Sequence, residues 1–305
     1  MKAIHFRAMG SSCRIVVEGG PAGLAHVAES MVARLEQMWS RFHPDSEVSQ
    51  LNRNNGSITV VSPETLLLVT RARDATVLTD GAFNPLMLDQ LCRLGYREAW
   101  RQPPNEGRVT VQPGCTEAIT LFPEISAVLL PANSKFDPGG IGKGLAADLV
   151  TEMLIDRGAS SSSVELGGDL RVSGSSWLSD DWEVQIEDPF DRALSVGAIS
   201  PQGGAVATSS RLERRWLCEG REVHHLLDPS TGLPSTTDLV AVSACSSAAW
   251  WAEVVAKVTL MAGSQSAPQL LQRFGTPAVL VTEDRRSIPC PVSKPVAAKL
   301  EAVPA

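Results

Sequence analysis

A chain of 305 residues that is 43% hydrophobic and 20% charged has the make-up of a globular protein with a large core. Its net charge of −7 argues against a nucleic-acid partner, and any anionic ligand must be met by local cations or a metal. Cysteines at 13, 92, 115, 218, 245 and 290 form no CxxC pair and lie at no zinc spacing to a histidine, so they read as reduced, mostly buried thiols of a cytosolic protein.

The opening segment MKAIHFRAMG lacks an apolar signal stretch, so Gly10-Ser11-Ser12-Cys13 is not read as a lipoprotein cleavage site. There is no run of about 18 apolar residues, and the expected location is cytoplasmic. Residues 13–18 predict a strand. Leu24, Val27, Met31, Leu35, Met38 and Phe42 recur at helical spacing and predict an amphipathic helix over 22–42. Ser46 or Asp45 can cap a short helix. SITVV predicts a strand, and Ser62-Pro63-Glu64 opens a helix that stops near Gly81.

The stretch 100–135 is proline-rich and broken. After it, LAADLVTEMLIDRG predicts a helix closed by Gly158. Strands are expected at 163–172, 182–187, 194–199, 222–227 and 238–244. AAWWAEVVAKVTLMAG predicts an apolar helix capped by Ser246 or Ser247. A last helix (267–274), a strand (277–282) and a loose tail (291–305) follow. Strands clustered between helices argue for an α+β fold rather than strict βαβ alternation.

Residues 136–148, FDPGGIGKGLAAD, place four glycines and a lysine just before an apolar helical run. The spacing is neither a P-loop nor a dinucleotide fingerprint: Gly142-Lys143 is followed by Gly144, and Gly140, Gly142 and Gly144 are spaced by two. Two readings stand, a ligand loop at a helix N-terminus and a glycine-rich turn. Other stretches carry chemistry. GAFNP (81–85) sets a polar residue between Phe83 and Pro85. ELGGDLRVSG (165–174) puts two glycines inside an expected strand, which weakens it unless a ligand approaches. AVATSS (205–210) offers hydroxyls, and HHLLDPSTG (224–232) puts two histidines on an expected strand, one to each face. Together these suggest phosphoryl-type transfer or hydrolysis on a nucleotide-like ligand.

In this order, MGSS, SRFHPDSEVSQLN, TDGAFNP, FDPGGIGKGLAAD, ELGGDLRVSG, VATSS and HHLLDPSTGLP resemble the ApbE family, the FAD:protein FMN transferases, over about residues 8–265. The resemblance implies an α+β fold of two interleaved lobes of mixed or antiparallel sheet with flanking helices and FAD in the cleft. It covers one domain over 1–290. It implies FAD and Mg²⁺, and transfer of FMN to a Thr or Ser hydroxyl of an acceptor flavoprotein, with AMP released. The acceptor is implied to carry Asp-x-Ser/Thr-Gly/Ser-Ala-Thr/Ser in an FMN-binding domain.

Position by position, the resemblance puts Met9, Phe42, Ala82, Phe83, Asn84, Asp137, Lys143 and Leu227 at the cofactor. It puts Gly140 (through its carbonyl), Glu253 and Lys257 at the metal, and makes His225 the base, with His224 facing outward. The sequence departs from the family at Asn84, where an aspartate is usual, and at Glu253 and Lys257, where Asp and Thr are usual. A protonated lysine cannot ligate a metal. Glu253 and Lys257 are also spaced as a helix-surface ion pair, so a solvent-facing strip and a polar site both stand. A flavin-binding protein or FAD pyrophosphatase without transferase activity would use the same residues.

Overall fold

The computed structural model describes residues 1–96, 116–174, 182–201 and 203–293. The chain divides into two compact units. The first is built from residues 1–36, 140–210 and the chain from 237 onward; the second from 37–139 and 211–236. The expected tail lies largely outside the described residues, as do Cys115 and much of the proline-rich stretch.

The first unit holds an eight-stranded antiparallel sheet. In chain order its strands are β1 (Lys2–Ala8), β2 (Ser11–Gly19), β6 (Ala159–Leu166), β7 (Asp169–Ser173), β10 (Ala205–Ser210), β13 (Leu239–Ser246), β14 (Ala278–Thr282) and β15 (Ser287–Cys290), and each pairs with the next. A separate hairpin joins β8 (Val184–Glu187) to β9 (Ser195–Ile199). Helices α5 (Gly142–Asp156) and α6 (Ala249–Phe274) pack on the sheet and on each other. Ile15, Val164, Leu154, Leu239, Val242 and Leu260 are fully buried in this core.

The second unit holds α2 (Glu47–Arg53), α3 (Pro63–Leu78), α4 (Leu88–Arg93), a small sheet ordered β3 (Ile58–Val60), β5 (Ala127–Leu129), β4 (Thr120–Phe122), and the β11–β12 hairpin (Arg215–Cys218, Arg221–His224). Helix α1 (Leu24–Trp39) begins in the first unit and ends in the second. The architecture is α+β with antiparallel sheets, as expected. Ser46 caps α2 by accepting from Ser49 N, and Ser62 caps α3 by accepting from Thr65 N, with Pro63 at its start.

Several expectations are corrected. Helix α1 is shorter than 22–42, and its buried stripe is Leu24, Ala28, Val32, Leu35 and Trp39, whereas Val27 and Phe42 are 37% and 38% exposed. Ala28 takes a buried place between Leu24 and Val32, so size alone does not mark the inner face. The two glycines of ELGGDL do not interrupt one strand. Gly167 and Gly168, at φ of 61° and 88°, form the two-residue turn between β6 and β7, where Leu166 pairs with Asp169. Ser246 and Ser247 do not cap α6, whose N-cap residue, Ala248, makes no side-chain cap bond. The expected last helix is the second half of α6, broken at Gly263 and restarted where Asp238 Oδ1 accepts from Ser264 N.

The true caps of α5 and α6 come from each other. Asp148, within α5, accepts from Ala249 N and Trp250 N, both at 2.9 Å, at the start of α6. Glu253, within α6, accepts from Gly144 N at 2.9 Å in the first turn of α5. Each carboxylate also meets the positive end of the partner helix. The helix starts approach so closely that a Cβ at Gly144 would lie 2.4 Å from Ala249 O, so this glycine is required by packing. Burial raises the Asp148 carboxyl to about 6, while Arg171 Nε, at 3.2 Å from Oδ1, opposes that rise. Asp148→Ala strands two buried N–H groups. It is expected to lower stability by about 2–4 kcal/mol in urea unfolding, with Asp148→Asn intermediate because its amide keeps one acceptor.

Candidate functional site

The first unit gathers its charged groups around the start of α5. The turn Met9-Gly10, at φ of 51° and 68°, closes the β1–β2 hairpin, and Met9 N donates to Glu36 Oε1 at 2.7 Å. The MGSS motif is thus a tight turn, unrecognised in the sequence because β1 was not expected. Beside it lies the Gly167-Gly168 turn: Gly167 N donates to Ser12 O at 3.0 Å, and a Cβ at Gly167 would meet Ser11 at 2.5 Å and the Lys143 stem at 3.5 Å.

Lys143 is the centre of this cluster. Its ammonium donates to Asp169 Oδ2 and lies 3.3 Å from Glu253 Oε1. Asp169 is 0% exposed and Glu253 4%. Burial, and then the neighbouring Glu253 carboxylate, push Asp169 well above the usual carboxylate range; the Lys143 ammonium acts against them. Sequence reasoning assigned no role to Asp169. Its signal was the residue after a two-glycine turn, legible only once the hairpin is recognised.

Lys257 lies on α6 one turn after Glu253. It alone among residues 249–260 is not buried. A Cβ at Gly140 (φ 94°) would lie 2.7 Å from Lys257 Cδ and 3.0 Å from its Nζ, so the lysine head sits against the glycine backbone. The solvent-facing strip is excluded by the burial of Glu253.

The second unit presents rings and one guanidinium. Tyr96 and Trp216 stack with centroids 5.3 Å apart at 20°, and Phe42 meets Tyr96 edge-on at 6.1 Å. The Arg41 guanidinium lies 4.2 Å from the Phe42 centroid and 4.7 Å from that of Tyr96, donates to Tyr96 O, and stands 3.5 Å from Asp137 Oδ1. Asp137 also accepts from Gly139 N, and its own N–H donates to Pro85 O, which ties FDPGG to GAFNP. In that segment Asn84 Oδ1 accepts from Leu86 N, Ala82 is half-buried, and the Phe83 ring is fully buried behind the chain. Leu227 packs with Met87 and Leu91 against Leu94 and Tyr96. Tyr96 and Trp216 were not anticipated, because lone residues outside a motif carry no sequence signal, and Arg41, although it lies in SRFHPDSEVSQLN, was passed over for its neighbour Phe42.

The histidines differ from expectation. β12 ends at His224, so strand alternation does not govern His225. His224 does not face outward: its Nδ1 accepts from Leu226 N and its Nε2 lies 3.2 Å from Ser235 O, an arrangement of the neutral Nε2–H tautomer. Burial lowers its affinity for a proton in the same sense. His225 is half-buried just before the turn in which Asp228 O accepts from Gly232 N.

The three positions read as metal-holding do not fit a divalent ion. Mg²⁺ needs oxygen ligands in near-octahedral array. Here one Glu253 oxygen is bound to Gly144 N–H and the other faces an ammonium, while Lys257 offers no lone pair and sits on Gly140. Among the described residues no three His, Cys, Asp or Glu side chains form a metal-holding group.

Lys143→Met leaves two buried carboxylates without their cation. It is expected to cost about 3 kcal/mol in denaturant unfolding, and Lys143→Met/Asp169→Asn should recover most of it. Without the ammonium the folded Asp169 holds its proton more tightly than the unfolded chain does. Because burial already holds Asp169 at about 8 with the ammonium in place, the Lys143→Met deficit should grow as pH rises above about 8.

The family model of the ApbE family matches residues 9–280. The chain is 28% identical to the FAD:protein FMN transferase of Treponema pallidum, over 91% of this chain and 83% of that one. It is 26% identical to that of Klebsiella pneumoniae, over 91% and 88%. The crystal structure of the ApbE protein from Thermotoga maritima superposes with a TM-score of 0.83 at 26% identity, covering 94% of this chain and 96% of that one. The apo form of the Pseudomonas stutzeri flavinyl transferase ApbE shares the fold, with a TM-score of 0.80 at 22% identity over 96% and 94%. A match over nearly the whole chain, on a fold that carries each of the motifs above, places this protein in the ApbE family.

Proposed function

We propose that this protein is an FAD:protein FMN transferase. The observation that carries the reading is the coincidence of a family match over residues 9–280 with a lysine-centred anion cluster built on the same motifs. In the step, an acceptor Thr or Ser hydroxyl oxygen bonds to the FMN phosphorus. The P–O bond to AMP breaks, AMP leaves with the bridging oxygen, and the hydroxyl proton passes to a base. The acceptor is a flavoprotein with an FMN-binding domain carrying the Asp-x-Ser/Thr-Gly/Ser-Ala-Thr/Ser attachment motif.

Residue roles follow from chemistry. Lys143, in the first turn of α5, suits a phosphate oxygen as a point charge. Arg41, Phe42, Tyr96 and Trp216 suit a planar ring, with Asp137 and Asn84 as polar groups at its edge. Leu227 backs the Tyr96 ring through their shared cluster. Met9 in the first unit and Ala82 in the second are the further cofactor contacts that the family motifs imply, and the Phe83 ring is buried behind its own segment. His225 is the base that takes the acceptor proton, because both ring nitrogens of His224 are engaged by backbone groups. The Mg²⁺ that the family resemblance implies finds no fitting donor set at Gly140, Glu253 and Lys257, and no step is derived through it.

Incubation with FAD and such an acceptor domain is expected to give a flavin-fluorescent acceptor band in a denaturing gel. Release of AMP and free FMN without a labelled acceptor would contradict the transferase reading in favour of hydrolysis. His225→Ala should slow transfer by about 10²–10⁴-fold while FAD binding persists. His224→Ala should instead lower stability, since it removes a bridge between Leu226 N and Ser235 O. Trp216→Ala should weaken FAD binding by roughly tenfold, in line with about 1–3 kcal/mol per ring stack.

A further inference from the structure

We propose that the ammonium groups of Lys143 and Lys257 stand in this chain where a divalent cation would stand, so that FMN transfer proceeds without one. The inference rests on the transferase reading and adds to it the source of positive charge.

Three observations converge. The carboxylates able to attract a cation, Asp169 and Glu253, already hold one: Lys143 Nζ contacts both. A divalent ion on Glu253 would have to displace that ammonium and compete with the Gly144 N–H. Next, Lys257 Nζ occupies the space against Gly140, the position whose carbonyl the family resemblance implies at a metal. A second positive charge there repels an incoming ion. Finally, Lys257 breaks an otherwise wholly buried stretch of α6. Lys257 is flanked by buried Ala256 and Val258, and its stem and head lie against Gly140.

The chemistry needs such charge. As the acceptor oxygen bonds to the FMN phosphorus and the P–O bond to AMP breaks, negative charge builds on the phosphate oxygens and on the departing AMP. Fixed cations aimed at that charge lower the barrier. Lysine supplies it as a compact donor of three N–H groups. Lys143 also offsets one of the two carboxylate charges that would repel the pyrophosphate. The hydroxyl proton still leaves to His225, so atoms and charge balance without a metal.

The test compares transfer in EDTA with transfer in Mg²⁺, by acceptor-band fluorescence, and titrates Mg²⁺ into the FAD-loaded protein calorimetrically. Equal wild-type rates in EDTA and Mg²⁺ are expected; abolition in EDTA with restoration by Mg²⁺ would overturn the inference and leave the transferase reading intact. Lys257→Met should slow transfer by about 10²-fold in both media, and Lys257→Arg should keep most activity because it keeps the charge. Lys257→Thr should be slow in EDTA and recover as Mg²⁺ is raised, since it removes the ammonium and adds an oxygen. Wild-type rates in all three variants would overturn the inference. Unaltered urea unfolding curves, expected at a position that is only partly buried, show that the variants are folded. Should no transfer occur in either medium, the transferase reading fails. The Mg²⁺ titration then decides alone: absence of saturable binding to wild type supports the inference, and saturable binding overturns it.

Discussion

The structure of the first unit depends on two carboxylates exchanged between two helices. Asp148 of α5 satisfies the opening N–H groups of α6, and Glu253 of α6 satisfies an opening N–H of α5. Buried helix ends without such partners would each leave donors unpaired. The exchange fixes where both helices begin and how near they come, which is why residue 144 is glycine. It also fixes charge: a buried Glu253 beside a buried Asp169 demands a cation, and Lys143 is the nearest residue on the same helix turn. One structural constraint thus sets the electrostatics of the candidate phosphate site.

This changes the meaning of the glycine-rich loop. A helix N-terminus is a ready anion site, yet here Gly144 N–H is taken by the protein's own carboxylate. Positive charge toward a ligand therefore falls mainly to side-chain ammonium groups rather than to the helix start. Gly144 answers to helix packing, and Gly140 makes room for the head of Lys257. The motif is as much a packing device as a ligand loop.

Much of this was legible in the sequence, and the failures have physical causes. Ser46 and Ser62 announced their helices, because side-chain caps and N1 proline act locally. The α6 cap was misread because its carboxylate comes from Asp148, about a hundred residues away. The Gly167-Gly168 turn was taken for strand interior, since a two-residue hairpin leaves the apolar alternation almost unbroken. Arg41, Asp169, Tyr96 and Trp216 were not anticipated, because their importance lies in tertiary neighbours. His224 looked outward by strand parity, but the strand ends there, and its ring is used to hold the following turn.

The central claim is that the carboxylate pair of the site is held by lysine rather than by a divalent metal. A crystal of the FAD complex grown with Mn²⁺, with anomalous difference maps at the manganese edge, tests it most directly. The account predicts Lys143 Nζ on Asp169 and Glu253, Lys257 against Gly140, and no manganese peak at Glu253. A manganese peak bonded to Glu253 and the Gly140 carbonyl, with Lys143 turned away, would contradict it.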